Sequence, residues 1–413
     1  MSLKITNATL PDRKGYWNIA IFDGYITELV EAESTLPETD RTLDAKGQLL
    51  IPGLVDAHIH LDKALLLDRY PAVEGTFTEA LHKTLQAKQE YTITDIQTRA
   101  RKIIEKAIAF GTTAMRTHVE VDPILQLKSL EALLPLKAES AWGITLQLAV
   151  FAQEGITNQS GTVDLLRKAM VMGGDVIGSA PYVDFNPEKN IRIIFDIAQE
   201  FDCDVDFHLD FLDDDAPLLL PIVIEETLKR GWHNRVCLGH MTRLAGLTPT
   251  ELIALVPALK EAGIAILALP ATDLYMMARQ DTHNVRRGIA PIHQLAELGV
   301  KVGLATNNVQ NLFTPFGDGD VLKICTLLAQ VLQLGTTASH QLCLEMATSR
   351  AAQAIGIADC GIAIANVADL VLLEASSVSE AIGAAPLNRI VIKRGQIVAQ
   401  SRYLSSFRQN ILI

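Results

Sequence analysis

Short apolar segments recur along this chain, separated by longer amphipathic ones, and that recurrence restricts the fold more than any other feature of the sequence. The segments are LVDAHIH (54–60), TTAMRTHVE (112–120), ITLQLAVFA (144–152), DVIGSAPYVDF (175–185), CDVDFHLD (203–210), RVCLGHM (235–241), IAILALPA (264–271) and KVGLATNN (301–308). Helical spacing fills the intervals, as in ITDIQTRARKIIEKAIAFG (93–111) and PIHQLAELG (291–299). Strands that are apolar along most of their length suit a parallel sheet covered on both faces. Eight strand–helix units in about 250 residues predict an α/β fold, the (β/α)8 TIM barrel. An open doubly wound sheet is the alternative, but no G-x-G-x-x-G follows an early strand.

The two ends read differently. LKITNATL, YWNIAIFDGYITELV and TLDAKGQLLIPG alternate short apolar runs with turn signals, and Asp23-Gly24 marks a hairpin. ADLVLLEA (368–375) and NRIVIKRGQIVAQ (388–400), with Arg394-Gly395 as a turn, repeat the pattern. Residues 1–52 and 355–413 are therefore expected to combine into a small β-sandwich domain, with 53–354 forming the barrel.

At 413 residues, 49% of them hydrophobic, the chain is long enough for a large core. A net charge of −12 argues against a nucleic-acid groove or an anionic membrane as partner. No apolar run reaches the roughly 18 residues of a membrane span, and MSLKITNATL does not read as a signal peptide. Five dispersed cysteines with no C-x-x-C pair suit reduced thiols in a cytoplasm. A homo-oligomer acting on a small molecule is expected.

The ends of the strands carry the chemistry. In such a barrel the active site forms where the strands finish. Residues i and i+2 of a strand share a face, so His58 and His60 converge at the end of the first. The second ends in Arg116, His118 and Glu120, the fifth in His208 and Asp210, the sixth in His240. Five of the ten histidines thus sit at strand ends, and the other five fall in helices or loops. Three imidazoles with an open position suit one divalent metal ion, Zn²⁺ or Fe²⁺ with Mn²⁺ also possible, and such a site activates water. The fourth strand offers no lysine to bridge a second metal.

With IPGLVDAHIHLDK, MRTHVEVDP, LAVFAQEGI, VDFHLDFLDDD, LGHMTRL, NVRRGIAPIHQLAELGV and NNVQNLFTPFGDGD in this order, the chain resembles the amidohydrolase superfamily. The likeness is to the branch holding cytosine deaminase and N-isopropylammelide amidohydrolase. The resemblance implies that His58, His60 and His208 bind the metal and that His240 orients the attacking water. It places Lys63 at the active site as a proton carrier. Gln153 would hold the heterocycle, Phe313 would pack on it, and Arg116 and Asn308 would be further substrate contacts. His118 and Glu120 would buttress the ligands.

Two positions depart from the family pattern. Where the last strand normally supplies a metal-binding aspartate that is also the general base, this chain has Asn307. An amide can offer its oxygen to a metal but cannot accept a proton. Phe211 stands where cytosine deaminase has a proton-shuttling glutamate; Asp210, Asp213, Asp214 and Asp215 are the nearby carboxylates that would substitute. The expected function is a metal-dependent hydrolase, a deaminase or amidohydrolase cleaving a C–N bond of a small nitrogen heterocycle or cyclic amide. The alternative is a barrel that has lost catalysis and binds a small ligand or serves as a structural subunit.

Overall fold

The structure, a computed structural model, describes residues 2–211 and 216–405. Asp213, Asp214 and Asp215 lie outside the described residues. At the centre stand eight parallel strands in sequential order: β1 (Leu54–Ile59), β2 (Thr112–Glu120), β3 (Thr145–Ala152), β4 (Val176–Ser179), β5 (Asp204–Leu209), β6 (Val236–His240), β7 (Ala265–Ala268) and β8 (Lys301–Leu304). Helices pack around them, which makes the (β/α)8 barrel. Among them, α1 (Phe77–Glu90) and α2 (Ile93–Ala109) follow β1, capped by the Thr76 and Thr92 hydroxyls.

Three strands are shorter than their apolar runs. β4 stops before Pro181, which opens a 3₁₀ turn, and β7 stops before Pro270, which starts a helix. Proline lacks the N–H that a ladder needs, and its fixed φ suits the first turn of a helix. β8 ends at Leu304, and the chain rejoins β1 only at Asn307. There the Asn307 N–H donates to the His58 carbonyl (2.8 Å) and the His60 N–H donates to the Asn307 carbonyl (2.9 Å). This bridge closes the barrel. Inside it the Asp56 carboxylate accepts the Thr306 N–H (3.1 Å) and hydroxyl (2.5 Å).

Strands from both termini form a second eight-stranded sheet. The amino-terminal half (Ser2–Leu10, Arg13–Phe22, Tyr25–Glu31 and Arg41–Asp44) meets the other half at the Thr9–Leu49 pair. The other half holds Leu49–Pro52, Leu370–Leu373, Arg389–Lys393 and Gln396–Ser401. The hairpin turns at Asp23-Gly24 (φ 49°, 86°) and Arg394-Gly395 (47°, 72°) are two-residue pairs with positive φ at each position, a form that matches strand twist. Leu50, Leu370, Leu372 and Ile392 pack with Ile5, Ile19 and Ile21 in a core between the halves. Leu49, Ile51, Val371 and Leu373, on the alternate face, join the barrel's core. We propose the limits of this domain at 52/53 and 354/355. Among the described residues no helix is long and apolar enough to cross a membrane.

One buried ion pair ties the terminal sheet to the barrel. The Arg389 guanidinium bonds both Asp320 oxygens (2.8 and 2.7 Å) and the Phe110 carbonyl (2.6 Å), with neither charged side chain exposed. Arg389→Met strands the Asp320 carboxylate in the interior, and breaking such a pair costs about 3–5 kcal/mol. Chemical denaturation should show that loss, whereas exchanging the exposed Arg101 of the Arg101–Glu139 pair for methionine should change stability by less than about 1 kcal/mol.

Candidate metal centre

His58 and His60 project from the end of β1, and His208 from the end of β5. Their Nε2 atoms converge: His58 to His208 is 3.1 Å and His60 to His208 is 3.0 Å. All three rings are buried, and none of their Nδ1 atoms has a partner. Burial, reinforced by the neighbouring imidazoles and, for His58 and His60, by Lys63, holds the three well below the usual histidine pKa. The rings are therefore neutral, the form that binds metal. Imidazoles sharing one ion at the usual Zn–N length have nitrogens about 2.9–3.4 Å apart. The donor set fits one divalent cation.

The backbone makes room for this convergence. A Cβ on Gly239 of β6 would lie 2.7 Å from Cε1 of His58, so glycine there lets the ring sit against the strand. Phe151 of β3 stacks on His208 at 4.6 Å with an 8° interplanar angle, which fixes the second ring. Below them Asp206 lies 3.2 Å from His118 Nε2 and 3.9 Å from His58 Nδ1. His118 packs on His58 with ring centroids 3.8 Å apart, and one of its ring nitrogens lies within 4.8 Å of a nitrogen of each of the other three histidines.

Asn307 sits at the same level, at the seam of the barrel. It is 1% exposed, and neither its Oδ1 nor its Nδ2 has a partner. Leaving a buried amide unpaired costs about 1–3 kcal/mol per group, which a ligand at this place would offset. His240 Nδ1 lies 2.7 Å from Asp273 Oδ1. The Asp273 carboxylate also accepts the Leu269 N–H (2.9 Å); burial raises its pKa and His240 counters that rise. With a carboxylate at Nδ1, the proton belongs there, and Nε2 is left as the acceptor. Phe211 lies against the His240 ring at 4.1 Å.

Lys63 enters from the loop after β1. Its ammonium donates to Glu120 Oε1 (2.5 Å) and Gln153 Oε1 (3.2 Å) and lies 4.8 Å from the Phe313 ring centroid. The second Glu120 oxygen meets Lys88 of α1 at 2.5 Å, and Lys88 also bonds Asp122 (2.9 Å) and Glu154. Burial would raise the Glu120 pKa, but the two ammonium groups outweigh it and hold it at about 2. Glu154, buried beside the other carboxylates, is pushed up to about 7 although Lys88 opposes the shift. Glu120, Asp122 and Glu154 could surround a cation by geometry; the Lys88 ammonium is that cation.

Three expected contacts lie elsewhere. Arg116 does not reach the mouth, because it bonds Asp206 (2.9 Å), Gln147 (2.9 Å) and the Ile355 carbonyl (3.0 Å) within the barrel. Asp210 accepts the Leu219 and Leu220 N–H groups (2.9 and 3.1 Å) at the start of a helix. There its carboxylate caps the helix. Asn308 is turned to Asn311 (2.7 Å) and Thr272 (3.4 Å). Lys88, Asp206 and Asp273 were missed. Asp206 carried a signal, since it stands two residues before His208 on the same strand face. Lys88 reads as an ordinary helix-surface lysine, and Asp273 lies beyond a proline that ends its strand.

The model of an amidohydrolase family matches residues 72–399, and this chain belongs to that family. It is 29% identical to N-isopropylammelide isopropyl amidohydrolase of Pseudomonas sp. (strain ADP), over 97% of this chain and 98% of that protein. Pterin deaminase of Rhizobium rhizogenes (strain K84 / ATCC BAA-868) is 27% identical over 97% and 92%. The crystal structure of 5-methylcytosine deaminase from Klebsiella pneumoniae liganded with 5-fluorocytosine superposes with a TM-score of 0.91. It is 29% identical and covers 98% of this chain and 99% of that one.

Replacing His60 or His208 with alanine removes one of three converging nitrogens at the rim of the barrel. Elemental analysis should show metal content falling by about tenfold or more, with thermal unfolding still cooperative. Equal metal in wild type and both variants would mean that the ion sits elsewhere.

Proposed function

We propose that this protein is a metal-dependent hydrolase that cleaves a C–N bond of a small nitrogen heterocycle or cyclic amide, using one zinc or iron ion, with manganese a third choice. The observation that carries the reading is the convergence of three neutral, buried imidazole Nε2 atoms beside the His240–Asp273 pair. His58, His60 and His208 would hold the ion, with the Asn307 carboxamide oxygen as a fourth donor. Bound there, the ion supplies Lewis acidity and a water made acidic enough to attack near neutral pH.

The remaining work belongs to the chain. Asp273 fixes the His240 tautomer, so that Nε2 accepts a hydrogen bond from the attacking water and orients it. Lys63, an ammonium kept in place by Glu120, donates a proton to the departing nitrogen. Gln153 and Phe313 hold the ring edge and face. Burial of all these groups excludes bulk water and strengthens each electrostatic contact. The relatives named above support the heterocycle as substrate class. The five free cysteines and the net charge of −12 support a cytoplasmic protein without nucleic-acid or membrane partners, and a homo-oligomer is part of the same proposal.

The test is metal analysis of the purified protein, followed by a screen of aminopyrimidines, pterins and alkylamino-triazines for release of ammonia or amine. No metal and no release would overturn the reading in favour of a ligand-binding barrel. Asn307→Asp adds an anionic ligand and a proton acceptor to the site. The variant should retain metal through a chelator challenge that strips the wild type. Full general-base action is worth about 10²–10⁴ in rate, and the gain in turnover should fall short of it, because Phe211 still stands where the family pattern implies a carboxylate. If the wild type is already efficient and Asn307→Asp abolishes turnover, the amide is integral to the chemistry.

A further inference from the structure

The buried charges that run from Lys63 to the far end of α1 do not balance. Lys63 and Lys88 bring two ammonium groups, whereas Glu120, Asp122 and Glu154 bring three carboxylates. A buried surplus of negative charge is costly, and taking up a proton removes it. The hydrogen bonds show which carboxyl takes it. Glu120 has an ammonium on each oxygen, Lys63 at 2.5 Å and Lys88 at 2.5 Å. Asp122 gives Oδ2 to Lys88 (2.9 Å), and its Oδ1 accepts the Ile124 and Leu125 N–H groups (2.8 Å each). Glu154 meets Lys88 through Oε1 alone, and its Oε2 is buried without a partner. The groups facing Glu154 are Lys88 of α1, Glu120 at the end of β2 and Asp122 just beyond it. Asp62 and Tyr91 stand farther off, near Glu120. Burial among these carboxylates is what puts the Glu154 pKa at about 7. At 10% its side chain is also the most exposed of the five, so its proton can exchange with water.

We propose that Glu154 is a positioning residue for Lys63, acting through Lys88 and Glu120, an inference that rests on the reading of Lys63 as proton donor. Lys88 has three N–H groups, one for each carboxylate. With Glu154 uncharged, the Lys88 ammonium belongs mainly to Glu120 and Asp122 and offsets much of the charge that Glu120 turns toward Lys63. Once ionised, Glu154 draws on the same ammonium and adds a negative charge. Glu120 then holds the Lys63 ammonium more firmly, and Lys63 gives its proton less readily to the departing nitrogen. Turnover should therefore fall as pH rises through the ionisation of Glu154. Coupling between two sites is reciprocal. If ionised Glu154 favours charged Lys63, charged Lys63 must favour ionised Glu154.

Glu154→Gln keeps the shape of the uncharged acid and cannot ionise. Thermal unfolding of the chelator-treated wild type and variant, followed across neutral pH, reads the proton without requiring turnover. An acid whose folded pKa lies above its unfolded one loses stability as pH rises between the two. The variant should gain on the wild type by about 2–4 °C as pH rises to about 7, and the gap should level off above that. The same comparison in a Lys63→Gln background should level off about half a pH unit higher; Lys63→Met takes its place if that protein does not fold. With an aminopyrimidine, pterin or alkylamino-triazine that the wild type turns over, wild-type kcat should fall about two- to threefold through the same pH range. Glu154→Gln should hold its kcat there, with KM unchanged. A gap that does not vary with pH would mean that Glu154 holds no proton. A levelling-off indifferent to Lys63, or a kcat profile indifferent to Glu154→Gln, would mean that the two are not coupled. Each of these overturns the inference. A wild type without metal or turnover would sink the proposed hydrolase and leave the reciprocal shift measurable.

Discussion

Everything at the mouth depends on the seam where the last strand meets the first. A parallel barrel leaves no free edge only if strand eight finds strand one, and here that junction is a single residue, Asn307, exchanging backbone hydrogen bonds with His58 and His60. The Asp56–Thr306 contacts reinforce it from inside. Asn307 reaches both partners by adopting φ = 61°, a left-handed conformation that asparagine and aspartate enter at lower cost than most residues. Exchanging one for the other therefore leaves the seam intact and alters only the charge. The same residue closes the fold and places a side chain beside the metal ligands.

The second organising element is a chain of buried charges running from Lys63 through Glu120 to Lys88, Asp122 and Glu154. Removing ions from water is expensive, and such a group persists only where every member is paired. The cost is met by short contacts: Glu120 gives one oxygen to each lysine, and its own N–H donates to Asp62 (2.9 Å). Arg99 of α2 adds bonds to the Asp62 and Ala64 carbonyls (2.7 and 2.8 Å), so the loop carrying Lys63 is held from both sides. An ammonium fixed in this way loses little entropy when it meets a substrate.

Much of this was legible in the sequence, for physical reasons. The barrel followed from apolar runs, because strands buried on both faces must be apolar. His58 and His60 followed from the two-residue period of a strand, and His208 and His240 from their places at strand ends. Where a strand would stop was harder to read: β4 and β7 end at prolines inside longer apolar stretches, and hydrophobicity does not mark that boundary. The partners of the site residues were least visible. Lys88 is buried because carboxylates from the end of β2 and from the loops after β2 and β3 surround it, and no local pattern encodes that. Asp210 sits among acidic residues in the sequence, and nothing local shows that its carboxylate caps a helix beginning ten residues later.

The sharing of Glu120 has an evolutionary consequence. Substituting Lys63 alone leaves a carboxylate held to one lysine instead of two, and substituting Lys88 alone strands Asp122 and Glu154 and leaves Glu120 to Lys63. Neither single step is neutral, whereas paired changes that remove a cation together with an acid keep the interior balanced. The site can drift in specificity at Gln153 or Phe313 one residue at a time, but Lys63 is locked into a covarying set with Glu120 and Lys88. Lineages descending from this protein should change those three together or not at all.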